Sequence, residues 1–151
     1  MKDKNVEISD ELYREVILDH YKSPRQYGAM EKPDILESGI NPLCGDELHL
    51  FLAFKGDTIS DIRFQGKGCS ISRASASMMT EALLNRNLPE VQKIVAEFKS
   101  MMLDGRPADS LPEVLEDAKS LEGVRRYPVR IKCAVLAWNT LLEALKKYKK
   151  G

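Results

Sequence analysis

The sequence predicts a single α+β domain over residues 1–151, in which a small antiparallel sheet of about three strands is covered on one side by helices. Apolar residues alternate with a period of two over residues 47–54, and a Lys-Gly-Asp turn leads into a second such strand. Helical apolar spacing covers most of the chain after residue 70. A chain of 151 residues can bury enough surface to fold as one domain without disulfide bonds.

The N-terminal part of the chain predicts one helix followed by a long connection. The helix begins at Ser9, because a serine can cap it and two acidic residues follow. It ends before Pro24, since the residue preceding a proline avoids the helical conformation. Residues 1–8 are expected to be flexible. Residues 24–43, which contain several glycines and prolines, form the connection, with a strand near Ile35.

The remaining elements follow from turn residues and apolar periodicity. The return strand of the hairpin covers residues 58–65, and a helix that is rich in small residues begins at Ser70. A second amphipathic helix covers residues 89–104. A serine followed three residues later by a glutamate predicts a short helix over residues 110–118. Gly123 and Pro128 bound a linker, and a last long helix contains Ile131, Val135, Trp138, Leu142 and Leu145.

The balanced charge of the chain conceals a basic C-terminal part. The 23 basic and 23 acidic residues give a net charge of zero, but eight basic and two acidic residues give residues 121–151 a net charge of +6. Nucleic acid is not an expected partner, because the whole chain is neutral and the basic tail lacks interleaved aromatic residues. Neither a secretory signal nor an apolar segment of membrane-spanning length is present, so we expect a cytoplasmic protein without a membrane partner.

The three cysteines, Cys44, Cys69 and Cys133, are each predicted near the boundary of an element. Cys44 lies in a turn before the first long strand, Cys69 between a strand and a helix, and Cys133 near the start of the last helix. An odd number of cysteines in a reducing compartment favours buried, metal-bound or reactive thiols over disulfide bonds. Two interpretations stay open: the cysteines fill space in the core, or they converge on one site.

If the cysteines converge, Asp46 is the natural fourth ligand, since it lies two residues after Cys44. Three sulfur ligands favour zinc or an iron–sulfur cluster over magnesium or calcium. The sequence lacks the CxxC spacing of most structural zinc sites, so spacing alone does not decide whether a metal binds. His20 and His49 are candidate ligands or bases, but a half-buried structural role suits His49 better, and His20 suits a position at a helix end.

Four segments of the chain, together with Trp138, resemble the IscU/NifU N-terminal family. They are Leu12–Arg25, Asn41–Asp46, Gly66–Met79 and Arg130–Ala134. The resemblance extends over about residues 11–146. Within the family the chain is similar to the SufU branch, because Lys132 replaces the histidine that precedes the third cysteine in the scaffold branch. The Leu-Pro-Pro-Val-Lys segment of that branch is also absent, and 63 residues separate Cys69 from Cys133.

The resemblance implies a zinc ion bound by Cys44, Asp46, Cys69 and Cys133. It also implies that Cys44 accepts sulfur from a persulfide on a PLP-dependent cysteine desulfurase of the SufS type. The partner would insert a histidine among the zinc ligands and thereby free Cys44. Downstream Suf proteins that assemble iron–sulfur clusters would then receive the sulfur. On this interpretation the chain is a zinc-dependent sulfurtransferase.

Two other functions remain compatible with the residues. The first is a scaffold that assembles an iron–sulfur cluster on Cys44, Cys69 and Cys133. The second is a binding module in which zinc is only structural. Arg130 and Lys132, which lie just before Cys133, are candidates for stabilising the reactive thiolate or for steering an acidic surface of the partner.

Overall fold

A computed structural model describes the backbone of residues 4–150 and the side chains of residues 13–148. Within this range the chain forms one antiparallel sheet of three strands in the order β1-β2-β3, together with four α-helices. The predicted α+β class is therefore confirmed. The elements are α1 (Lys4–Lys22), β1 (Ile35–Asn41), β2 (Asp46–Lys55), β3 (Thr58–Lys67), α2 (Ser70–Leu83), α3 (Leu88–Asp104) and α4 (Pro128–Lys150).

One face of the sheet forms the core with the helices. Leu48, Leu50 and Leu52 alternate along β2 and are buried, and Leu50 and Leu52 pair across the ladder with Phe64 and Ile62. The helices α2 and α4 contact the strands on this side. The period of two in the sequence thus reflects a sheet whose inner face is apolar, as expected when helices cover one side.

The helices α2 and α4 pack closely, which fixes the relative positions of two of the cysteines. Ser75 Oγ in α2 donates a 2.6 Å hydrogen bond to the Ala134 carbonyl in α4 and accepts one of 2.9 Å from Trp138 Nε1. The Trp138 ring also stacks on Phe98 of α3, with ring centroids 4.0 Å apart. A buried serine that pairs with both partners permits this approach without leaving a polar group unsatisfied.

The helix α1 is attached to the domain by a buried histidine. His20 is fully buried, and its Nδ1 and Nε2 lie 2.8 Å from Ser77 Oγ and from Asp117 Oδ2. Ser77 Oγ also accepts a 2.8 Å hydrogen bond from the Arg25 amide. The helix begins at Lys4 rather than at the predicted Ser9. The segment expected to be flexible is therefore helical over residues 4–8, and residues 1–3 lie outside the described range.

The segment between α3 and α4 differs most from the prediction. In place of an α-helix over residues 110–118, it forms three 3₁₀ helices: Ala108–Ser110, Glu113–Leu115 and Asp117–Arg126. Ser110 Oγ donates to the Pro107 carbonyl and caps no helix. Pro112 explains the difference, because it holds the preceding residue in an extended conformation and supplies no amide proton. The predicted linker after Gly123 is also largely helical, and Pro128 opens α4.

None of the described helices is both long enough and apolar enough to cross a membrane.

Candidate metal centre

Cys44 lies in a tight turn between β1 and β2. The Cys44 amide donates a 3.2 Å hydrogen bond to the Asn41 carbonyl, and Gly45 has a left-handed backbone with a φ of +70°. Glycine adopts this conformation without the strain that a side chain would add. The turn places Asn41 opposite Asp46 in the sheet register and leaves Cys44 half-buried at its tip.

Cys69 lies at the N-cap position of α2, as its place between a strand and a helix predicted. Its amide donates a 2.9 Å hydrogen bond to Asp46 Oδ1, and its thiol lies 3.9 Å from Ser72 Oγ. The approach of the carboxylate depends on Gly68, since a Cβ atom there would lie 2.7 Å from Asp46 Oδ1 and would also clash with Ser72 Oγ. Asp46 is itself buried, with 1% of its surface exposed.

Cys133 lies in the second turn of α4 and is fully buried. Its Sγ donates to Cys44 Sγ at 2.9 Å, which is too long for a disulfide bond of about 2.05 Å. Burial raises the pKa of the Cys133 thiol, and its contacts with Cys44, Asp46 and Cys69 raise it further. Without a metal, Cys133 therefore keeps its proton at neutral pH.

The donor atoms of Cys44, Asp46 and Cys133 all lie within 4.8 Å of one another. Zinc bonds of about 2.0–2.3 Å place two ligand atoms on one ion no more than about 4.6 Å apart, so this group has nearly the required spacing. Two sulfur atoms and one carboxylate form a donor set that zinc accepts. Cys69 lies beside this group rather than within it, because its thiol contacts Ser72.

Asn41 belongs to the site although its sequence context did not indicate it. Its Nδ2 lies 3.4 Å from Asp46 Oδ2 and 3.5 Å from Cys133 Sγ, and the residue is 6% exposed. The amide thus contacts the carboxylate and the buried sulfur from the end of β1. The signal that would have revealed it is the strand register, since Asn41 pairs with Asp46 in the sheet.

The basic residues around Cys133 have separate roles in the structure. Arg125 Nη1 donates to the carbonyls of Met101 and Arg106 at 3.1 and 2.9 Å, so this side chain caps the end of α3. Arg130 and Lys132 are exposed on the first two turns of α4. Neither of their side chains forms a hydrogen bond or an ion pair with another side chain in residues 13–148. They remain available to a partner.

Neither histidine joins the three-donor group. His20 belongs instead to the network with Ser77 and Asp117, and its Nε2 lies in a separate cluster with Asp117 and Glu81. His49 Nδ1 lies 2.8 Å from Ser38 Oγ on the neighbouring strand. His49 is half-buried, which agrees with the structural role expected for it.

Comparison with known proteins identifies the family to which this fold and site belong. A family described as the NifU-like N-terminal domain matches residues 12–151. The chain belongs to this family. Its resemblance to the SufU branch is also confirmed, because the chain is 41% identical to the zinc-dependent sulfurtransferase SufU of Bacillus subtilis over 94% of this chain and 95% of the relative.

Two further members of the NifU-like N-terminal family carry names that point to scaffold function. The chain is 41% identical to the iron–sulfur cluster assembly scaffold protein IscU of Streptococcus pyogenes, over 90% of this chain and 84% of the relative. A solved structure from Fervidobacterium islandicum, described as an iron–sulfur cluster assembly scaffold for the SUF system, superposes with a TM-score of 0.77. It is 35% identical and covers 87% of this chain and 94% of its own. The family is therefore one of iron–sulfur cluster assembly.

Proposed function

We propose that the chain is a zinc-dependent sulfur acceptor, which takes sulfur from the persulfide of a PLP-dependent cysteine desulfurase of the SufS type and passes it on for iron–sulfur cluster assembly. The observation that carries the proposal is the unequal exposure of two neighbouring thiols. Cys44 Sγ is half-buried at the tip of a turn, while Cys133 Sγ, 2.9 Å away, is fully buried, as is Asp46 beside it. Only one thiol of this pair is accessible to a partner.

Zinc would be held by Cys44, Asp46 and Cys133, and by Cys69 once its thiol turns from Ser72 toward the group. A bound zinc ion keeps thiols deprotonated and protects them from oxidation. Asp46 Oδ1 accepts the hydrogen bond of the Cys69 amide. The other carboxylate oxygen, Oδ2, which Asn41 contacts, is therefore the one available to a metal ion. The protein thus orients the carboxylate through its backbone and through one amide side chain.

The transfer step uses Cys44 as the nucleophile. Its thiolate attacks the outer sulfur of the donor persulfide, and a new sulfur–sulfur bond forms at Cys44. The donor's sulfur–sulfur bond breaks, and its electron pair leaves with the cysteine of the desulfurase. The name of the B. subtilis relative, zinc-dependent sulfurtransferase, supports a sulfur-transfer function. A thiolate of the next assembly protein then attacks the outer sulfur of the Cys44 persulfide, the sulfur–sulfur bond at Cys44 breaks, and Cys44 leaves as a thiolate.

A cluster scaffold is the second candidate, and one observation favours it. Cys69 is close enough to Cys133 to raise the pKa of that thiol, and Cys133 contacts Cys44, so three thiols lie near one another, as cluster ligands would. The name of the S. pyogenes relative agrees with this alternative. In both cases the same residues bind the metal, and the metal that is bound separates the two functions.

The test combines metal analysis, visible absorption and mass spectrometry of freshly purified protein. The sulfur-acceptor function predicts one zinc per chain, a colourless sample and, after incubation with desulfurase and cysteine, a peptide containing Cys44 that is heavier by one sulfur atom. A Cys69→Ser variant should still accept sulfur at Cys44 if zinc is retained. A brown sample with bound iron and acid-labile sulfide, and no added sulfur on Cys44, would contradict the proposal and support the scaffold.

A further inference from the structure

A groove separate from the cysteine cluster runs between α1 and the segment that leads into α4. It has a volume of about 530 Å³, which lies within the range of ligand and peptide sites. One wall comes from α1, the other from the 3₁₀ helix Asp117–Arg126 and the start of α4, and Ser70 and Ile71 of α2 close one end. Ser70 directly follows Cys69, so the lining includes the residue next to one cysteine of the candidate metal centre but none of its donor residues.

The groove combines an apolar floor with a basic rim. Ile17 and Ile71 are half-buried along it, and Tyr127 at its edge is 60% exposed. Twelve of the described residues, 13–148, line the groove; three of these are arginines and none is acidic, and the arginines are Arg14, Arg126 and Arg130. Within residues 13–148 none of the three takes part in an ion pair.

The carboxylates nearest the groove are largely engaged elsewhere. Glu122 pairs with Arg125 and accepts the Ala108 amide, while Glu116 pairs with Lys119. Negative charge does act on Tyr13 in the groove lining. Burial raises the pKa of Tyr13 most, and the nearby charges of Asp109 and Glu122 raise it further. The described lining of the groove thus keeps three arginines and no carboxylate of its own.

We infer that this groove binds an acidic protein segment that inserts an apolar side chain against Ile17 and Ile71. Tyrosine and arginine around a concave apolar surface are the residues that most often dominate the energy of protein interfaces. The guanidinium groups of Arg126 and Arg130, which form no ion pair within residues 13–148, would hold carboxylates in bidentate contacts, and the floor would bury the anchor. The inference concerns a docking surface and does not depend on sulfur transfer.

Gly123 provides a way to block the groove without disturbing the fold. It lines the groove, and a Cβ atom built there meets no atom within 4 Å. A Gly123→Leu variant should therefore fold and fill the space. Arg126→Gln removes charge from the rim. Arg86→Gln is the matched control, because this exposed arginine lies just beyond the other end of α2, roughly 20 Å of helix away from Ser70.

The experiment measures binding of short synthetic peptides to the full-length protein by amide chemical shifts. The probe is an acetylated peptide with the composition Glu-Asp-Leu-Glu-Phe-Asp-Glu. One control peptide has lysines in place of the acids, and another has serines in place of Leu and Phe. We expect the acidic apolar peptide to shift the amides of Ile71, Gly123 and Arg126. We also expect affinity to fall about fivefold or more in Gly123→Leu and Arg126→Gln, and less than twofold in Arg86→Gln.

Several results would overturn the inference. The first is that millimolar peptide leaves the chemical shifts of the groove amides unchanged. The second is that the lysine peptide binds as tightly as the acidic peptide. The third is that Gly123→Leu, Arg126→Gln and Arg86→Gln all lower the affinity equally. If Gly123→Leu instead converts a dimer into a monomer in sedimentation while the peptide leaves the groove amides unchanged, the groove is covered by a second copy of the chain and the inference is also wrong. Should Gly123→Leu unfold, Arg126→Gln still decides the result.

Discussion

At the scale of single residues, Asp46 has two roles that one substitution can separate. Its Oδ1 accepts the Cys69 amide, and the same carboxylate belongs to the three-donor group. Asn at this position can still accept the amide hydrogen bond but carries no charge. We therefore expect Asp46→Asn to fold normally and to bind zinc about 10- to 100-fold more weakly.

The matched variant Asp46→Ala should lose both roles. It leaves the Cys69 amide without its partner, so unfolding in urea should show an additional loss of about 1–3 kcal/mol that Asp46→Asn does not show. Equal zinc affinity in Asp46→Asn and the unsubstituted protein, measured by competition with a chromophoric chelator, would exclude Asp46 as a ligand.

Arg130 and Lys132 test whether charge near Cys133 matters to the partner. Both are exposed, so their effect on sulfur transfer should be electrostatic and should weaken as salt screens it. We expect Arg130→Ala and Lys132→Ala to slow transfer several-fold at low salt and to flatten its salt dependence. Lys146→Ala, an exposed lysine near the far end of α4, is the control and should change neither quantity. Unchanged rate and salt dependence in the Arg130 and Lys132 variants would show that neither residue contributes.

At the scale of elements, the position of α1 depends on a buried polar connection. Ser77 Oγ pairs with both His20 Nδ1 and the Arg25 amide. Ser77→Ala would leave two buried polar groups unpaired, so we expect a loss of about 1–3 kcal/mol in the free energy of unfolding. The control Ser110→Ala, in an exposed turn, should cost less than about 0.5 kcal/mol. Equal stability of the two variants in urea unfolding would mean that the Ser77 contacts contribute nothing.

The elements that the sequence predicted well are those whose own periodicity determines them. The β2–β3 hairpin and α3 begin and end within about two residues of the expected positions, and α2 begins at Ser70 as predicted, because alternating or helical apolar spacing is continuous there. The helix expected from Ser110 failed because Pro112 breaks it, although the capping pattern was present. Arg125 belongs by sequence to the basic C-terminal part, but its side chain caps α3, a long-range contact that local sequence does not reveal.

The predicted ligand set of Cys44, Asp46, Cys69 and Cys133 came from the resemblance, because the residues alone left open whether the cysteines converge on one site or fill the core. In the structure the donor atoms of Cys44, Asp46 and Cys133 lie within 4.8 Å of one another, and Cys69 is not part of that group. The role of Asn41 was missed, because it depends on the register that places Asn41 opposite Asp46. The orientation of the Cys69 thiol toward Ser72 was also beyond prediction, since a rotamer is selected by packing and not by position in the chain.

At the scale of the whole molecule, zinc bound at the proposed centre would couple the β1–β2 turn, the start of α2 and α4. Because burial raises the pKa of Cys133, the metal-free protein holds a proton that must leave when zinc binds. Zinc affinity should therefore rise with pH across the neutral range and fall on acidification. Chelator competition at several pH values measures this dependence. Affinity that is independent of pH would show that Cys133 is already deprotonated or is not a ligand.

The central claim is that Cys44 accepts sulfur, and the turnover of a SufS-type cysteine desulfurase in the presence of this protein tests it most directly. The account predicts that the unsubstituted protein accelerates cysteine turnover, and that Cys44→Ser, at the same concentration and with its fold verified by circular dichroism, abolishes the acceleration. If Cys44→Ser stimulates the desulfurase as strongly as the unsubstituted protein and loses only stability, the zinc site is structural and the account is wrong.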